Sequence, residues 1–183
     1  ADLAERVRQG GAVGYVIMAL GAAGLLVALW RYLQLRRLRR QMDAADTVQS
    51  DQGPTAALLR VAREHRDADA ETLGLQLDEA IIAETPRIQH GVGFIALLAG
   101  IAPLLGLLGT VTGIIETFQA ITLHGTGDPR LMSGGISQAL VTTVMGLLVA
   151  IPMFLLHSLL SERSTALLTR LDERAAGLVA ERA

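Results

Sequence analysis

The stretch IQHGVGFIALLAGIAPLLGLLGTVTGII, residues 88–115, runs for 28 positions without an Asp, Glu, Lys or Arg. A helix rises about 1.5 Å per residue, so this run exceeds the roughly 20 residues that cross a hydrocarbon core of about 30 Å. Two more runs share the property. Residues 9–30 are charge-free for 22 positions and residues 131–161 for 31. Three buried helices of a soluble bundle would each need a charged stripe toward water, and none of the runs carries one. The reading is an all-α integral membrane protein with three transmembrane helices. Mean hydropathy of +0.41 fits this, as does a charged fraction of 19%, against about 25% in an average soluble domain.

The residues between the runs set the orientation. Arg31, Arg36, Arg37, Arg39 and Arg40 follow the first run, whose length and C-terminal flank make it a retained helix rather than a signal-peptide core. The connection between the other two runs carries Arg130 beside Asp128. Cationic loops stay inside, which places the N-terminus outside and the C-terminus in the cytoplasm. Arg6 and Arg8 are accompanied by Asp2 and Glu5, so the five-arginine cluster outweighs them. The predicted organisation is a periplasmic or interfacial arm at 1–10, transmembrane helices at 11–32, 88–123 and 131–160, a cytoplasmic helical region at 33–87, a periplasmic loop at 124–130, and a cytoplasmic C-terminal helix at 161–183. The chain begins at Ala1 rather than Met, which leaves room for a preceding segment. Ser50–Pro54 reads as a break with Pro54 in the first turn of a new helix, and Pro86 as the start of a helix or a kink in one. Leu73, Leu77, Ile81 and Glu84 form one helical stripe. The apolar seam through Leu160, Leu167, Leu171 and Ala175 extends the third helix inward and predicts an intracellular bundle between subunits.

The spans differ in chemistry. The first has glycines but no hydroxyl or ionisable group between Tyr15 and Trp30, as a lipid-facing packing helix would. On the second, Pro103, Gly106, Thr110 and Gly113 share a face by spacing. On the third, Gly135, Gln138 or Ala139, Thr142 or Thr143, Gly146 and Ala150 do so. Gly109 and Gly113 form a small-xxx-small pair that lets helices approach closely. Such faces either pack dry or line a narrow polar path, and a membrane threonine can also simply bond the carbonyl three or four residues back. Glu116 is the one acid between Ile88 and Leu123. An ionisable group at membrane depth is a candidate functional site, although Glu116 sits about 9 Å beyond Thr110 by helix rise, which favours an outer-mouth or hairpin-packing role over a place in an ion path.

Other chemistry is absent from the pattern. The chain has no cysteine, and His90 and His157 lack partners at ligand spacing, so no metal or cofactor is expected. Ser133 and Ser137 have no histidine and acid arranged for nucleophilic catalysis, and no enzyme is read. No basic face with interleaved aromatics points to nucleic acid.

Two segments carry a family resemblance: APLLGLLGTVTGII at 102–115 and GGISQALVTTVMGLLVAIP at 134–152. Both resemble the signature of the ExbB/TolQ/MotA proton-channel family, most of all its ExbB branch. That resemblance implies a homopentamer in the inner membrane of a Gram-negative bacterium, with spans two and three around a central pore. It implies an ExbD-like partner whose single span carries a protonatable aspartate, and a TonB-like protein that transmits proton-driven motion to outer-membrane importers of iron–siderophore cargo. Membrane lipids and protons are then the only small partners. The family's pore threonines fall on Thr110 and Thr143, and Gln138 stands where many relatives have glutamate. Thr110, Thr143, Gln138, Thr142, Gly106 and Pro103 are the expected pathway residues, with Glu116 as a further candidate that the resemblance does not endorse. Alternatives are a TolQ-like role in outer-membrane constriction and a non-conducting scaffold for a partner helix.

Overall fold

A computed structural model describes residues 11–46, 52–125 and 129–182. The arm expected at 1–10, the residues Ser50 and Asp51 of the expected break, and positions 126–128 of the expected loop lie outside them. The described chain is helical throughout: α1 (Gly11–Asp46), α2 (Pro54–Glu64), α3 (Ala70–Gln89), α4 (Val92–His124) and α5 (Pro129–Ala180). Helices α1, α4 and α5 are each long and apolar enough to cross a membrane. The fold is therefore all-α with three membrane-spanning helices.

The chain divides into two compact units, residues 1–28 with 94–157, and residues 29–93 with 158–183. In the first unit the buried positions of α1 are Gly14, Ile17, Gly24 and Ala28. The spacing of three and four keeps one narrow seam facing its neighbours. A Cβ built at Gly21 would lie 3.0 Å from Val149, and one at Gly24 would lie 2.6 Å from the Met153 sulfur. These glycines bring α1 against α5. Tyr15, Val16, Met18, Leu25 and Leu26 are exposed on the opposite side, an apolar surface suited to lipid.

In the second unit the rest of α1 continues the spacing with Arg31, Leu35, Leu38, Met42 and Ala45 buried. Helix α2 starts at Gly53, where φ is +102 and Pro54 occupies the first turn. It buries Leu58 and Ala62, while α3 buries Leu73, Leu77, Ile81 and Ile88. The end of α5 adds Leu160, Ser164, Leu167, Leu171 and Ala175. Asp43 accepts a hydrogen bond from Arg170 at 2.6 Å, and Arg182 donates to the carbonyls of Ala62, at 2.6 Å, and His65. Four stretches of one chain thus supply a shared core. Seam spacing shows that a face is covered but not by which chain.

One detail corrects the sequence reading. Of the two roles open to Pro86, it does not start a helix: it lies inside α3, which runs past it to Gln89. The interruption comes at His90–Gly91, where Gly91 adopts φ +79. That left-handed conformation costs an L-residue with a Cβ about 1–2 kcal/mol, so the glycine places the break. Arg31 has a role in the fold that the sequence did not mark. It is 1% exposed and donates to the carbonyls of Ile88 and Arg87, the latter at 3.1 Å, and to the Gln34 side chain at 2.7 Å. Ser164 donates to the same Ile88 carbonyl at 3.2 Å. The last carbonyls of a helix have no partner within it, and a cation there also meets the negative end of the dipole. Arg31 is the C-terminal clamp of α3.

Arg31→Met should therefore lower stability by about 1–3 kcal/mol, because it strands buried carbonyls, and should speed amide exchange at residues 88–92. Thermal unfolding in detergent with hydrogen exchange checks both. An unchanged midpoint with unchanged exchange would show that the clamp is dispensable.

Candidate functional site: a threonine cluster in a glycine-packed helix hairpin

Helices α4 and α5 cross within the first unit at positions without side-chain bulk. A Cβ built at Gly146 would lie 2.6 Å from the Ala102 carbonyl oxygen, and one at Gly106 would lie 2.9 Å from the Thr142 carbonyl oxygen. Both contacts are with backbone, which cannot swing aside. Further along, a Cβ at Gly109 would meet Thr142 Oγ1 at 2.5 Å, one at Gly113 would meet the Ala139 Cβ at 2.7 Å, and one at Gly135 would clash with Thr117. The seam therefore reads Ala102, Gly106, Gly109, Gly113 and Thr117 against Gly146, Thr142, Ala139 and Gly135. Of the alternatives that spacing left open on α5, Ala139 and Thr142 take the seam.

Close approach brings main-chain carbonyls within reach of hydroxyls on the opposite helix. Thr110 Oγ1 lies 3.1 Å from the Gly106 carbonyl of its own helix and 3.2 Å from the Ala139 carbonyl across the seam. It also pairs with Thr143 Oγ1. Thr143 reaches the Gly106 carbonyl at 3.2 Å. Thr142 reaches the same carbonyl at 3.2 Å and that of Ala139 at 2.6 Å. Three hydroxyls thus converge on two carbonyls. Thr142 is 2% exposed, whereas Thr110 and Thr143 are half-buried at the edge. Back-bonding within a helix, which the sequence allowed, and hydrogen bonding between helices occur together at Thr110 and Thr142.

Each hydroxyl brings one hydrogen, and each carbonyl oxygen can accept two bonds. If Thr110 or Thr143 turned its hydrogen toward a visiting group, another threonine would still satisfy the Gly106 carbonyl. Little hydrogen bonding is lost inside the hairpin when one is given outward. A hydroxyl cannot itself store a proton near neutral pH, so the cluster can orient and solvate a titrating group but not replace it.

The remaining candidates fall elsewhere. Pro103 is half-buried one turn from Gly106 and makes no polar contact in the cluster. Gln138 and Glu116 are exposed and line a cavity of about 710 Å³ with Thr112, Gly109, Thr142 and the Gly11–Val13 start of α1. Thr110 and Thr143 do not line it. Five residues separate Gln138 from Thr143, about 140° around a helix at 100° per residue. The pathway residues proposed together thus lie on two sides of the hairpin. The Ala139 carbonyl went unseen in the sequence because a main-chain acceptor has no residue signature. Thr117, which is buried and bonds back to Gly113 at 2.8 Å, could have been found by extending the Gly106–Gly113 spacing one turn. Among the described residues no group of three or more His, Asp or Glu side chains is placed to hold a metal ion.

A chain with three helices long and apolar enough to span belongs to the class of multi-pass membrane proteins. The sequence model of the MotA/TolQ/ExbB proton channel family matches residues 49–173, and the chain belongs to that family. It is one of proton channels, not of enzymes. An ExbB homolog of Methanothermobacter thermautotrophicus is 31% identical over 87% of this chain and 63% of its own length. The biopolymer transport protein ExbB of Salmonella typhimurium is 28% identical over 72% of this chain and 63% of its own. The Tol-Pal system protein TolQ of Haemophilus influenzae is 34% identical over 48% and 39%. The chain thus spans less than two thirds of the length of each of these relatives.

The seam makes a paired prediction. Gly146→Ala must push the helices apart or be expelled, and should destabilise by about 1–3 kcal/mol, the usual cost of overpacking. Gly100→Ala has nothing within 4 Å of the new Cβ and should be neutral, or stabilising by up to about 1 kcal/mol through helix propensity. Melting of the two variants side by side in detergent is the check.

Proposed function

We propose that this chain is the channel and motor subunit of an inner-membrane complex in a Gram-negative bacterium. The complex would use the proton-motive force to energise TonB-dependent import across the outer membrane, with iron–siderophore complexes as the cargo type. The observation that carries the reading is the half-buried Thr110–Thr143 pair, whose hydroxyls can turn outward while the Gly106 carbonyl stays bonded. Family membership and similarity to a protein named for biopolymer transport support the setting.

In this reading five copies surround a pore, and an ExbD-like single-span partner brings an aspartate to the threonine edge. The aspartate takes up and releases the proton. Thr110 and Thr143 donate to it when it is charged, which lowers the cost of holding a carboxylate among apolar walls. Gln138 can hydrogen-bond but not ionise, so the partner's carboxylate carries the titration. A TonB-like protein receives the resulting motion. A second reading, a TolQ-like subunit for outer-membrane constriction, is favoured by the similarity to TolQ of Haemophilus influenzae. The threonine chemistry is common to both.

Thr143→Val keeps the shape and removes the hydroxyl. At unchanged complex abundance it should cut energy-dependent siderophore uptake at least ten-fold, while Thr143→Ser retains much of it. Wild-type uptake in the valine variant would remove the pore role. Proton flux into liposomes holding the complex separates a conductor from a passive scaffold, since a scaffold gives flux equal to empty liposomes. Complementation of import-deficient and constriction-deficient strains separates the two physiological readings.

A further inference from the structure

One end of each charge-free run falls within the second unit. Arg31, immediately after the first run, holds the carbonyl of Ile88, where the second begins. Trp30 and His90 rings meet edge to face with centroids 6.3 Å apart. Tyr32 lies under the guanidinium of Arg163, two residues past the end of the third run, with the Arg163 Cζ 4.7 Å from the ring centroid. These contacts join the polar ends of the three spans in one layer. Tryptophan and tyrosine settle at headgroup depth, so the layer is where a membrane's phosphates lie.

Tyr32, Arg36 and Arg163 are exposed there. Arg36 is one helical turn beyond Tyr32, and its charge acts on the Tyr32 hydroxyl together with that of Arg163. Two other arginines of this unit pair with acids, Arg170 with Asp43 at 2.6 Å and Arg87 with Glu84 at 3.6 Å. Arg36 and Arg163 have no acid within ion-pair distance among the described residues. Arg163 from α5 touches the phenol ring, and Arg36 adds a second exposed cation one turn along α1. The contact with the ring holds the Arg163 guanidinium at the Tyr32 side chain, and with five N–H donors it has more than one phenol can take.

We propose that Tyr32, Arg36 and Arg163 form a binding site for the phosphate of an anionic phospholipid. A guanidinium fork matches phosphate in a bidentate way, and the tyrosine hydroxyl can donate to a third oxygen. A zwitterionic lipid brings its own ammonium into the same space, so the site favours lipids with net negative charge. Arginines close to a membrane surface each contribute roughly a five-fold gain in binding to anionic lipid.

The full chain is reconstituted into vesicles of three parts phosphatidylcholine to one part phosphatidylglycerol, repurified in detergent, and its retained lipid identified by mass spectrometry. Retained lipid should be enriched in phosphatidylglycerol. Arg36→Gln and Arg163→Gln should each lower the enrichment about five-fold, whereas Arg60→Gln, an exposed arginine on α2, should not. Arg36→Lys with Arg163→Lys keeps the charge and loses the fork. It should fall between wild type and the glutamine variants, and gives the reading if the latter do not fold. Equal enrichment in wild type and every arginine variant at these two positions overturns the site. So does displacement of the bound lipid by millimolar glycerol phosphate in the wash, which would make it a site for soluble phosphate.

Discussion

Backbone contact between α4 and α5 at Gly106 and Gly146 is the constraint from which the functional geometry follows. A Thr142 or Thr143 hydroxyl can reach the Gly106 carbonyl of the facing helix only because no Cβ stands between the two main chains. In lipid there is no hydrophobic drive to press helices together, and close packing with interhelical hydrogen bonds has to supply the attraction. The same residues therefore give the hairpin its cohesion and its polar edge. A bulkier side chain at either glycine would separate the hydroxyls from the carbonyls that orient them.

A second constraint acts at the opposite end of the polarity scale. The chain must pass from α3 into α4 through a break at His90–Gly91, and the carbonyls preceding that break are buried. Arg31 and Ser164, from two other helices, bond to Ile88, so one short junction draws in α1 and α5. An arginine suits the place because its several donors can serve two carbonyls and a glutamine at once. The layer it anchors is also where Tyr32 and Arg163 meet.

The three spans were legible in the sequence because a helix with no charge on any face over 22 or more residues has no side to turn toward water. The threonine faces were legible for a related reason, since hydroxyls and glycines at three- and four-residue spacing stand out among leucines. What stayed hidden depends on partners rather than on the residue itself. Arg31 looks like any juxtamembrane cation, and nothing local marks the carbonyls it clamps 56 and 57 residues later. Spacing also could not decide between Gln138 and Ala139, or between Thr142 and Thr143. Neighbours differ by only about 100° around a helix, and both members of each pair are small or polar enough for a membrane interface. Pro86 misled because proline marks a boundary on average, whereas here the glycine five residues later sets it.

The hold of Arg182 on α2 has a consequence for how the protein is made. Its partners, the carbonyls of Ala62 and His65, precede it by 120 and 117 residues, and α4 and α5 lie in between. During synthesis, α2 and α3 leave the ribosome long before the residue that fastens them. Closing that contact waits until both later spans have been threaded through the membrane in the correct order. A chain in which only one of the two later spans crossed would hold Arg182 and α2 on opposite sides of the membrane and leave α2 unfastened. The clasp thus links completion of the helical bundle to the crossing of both later spans.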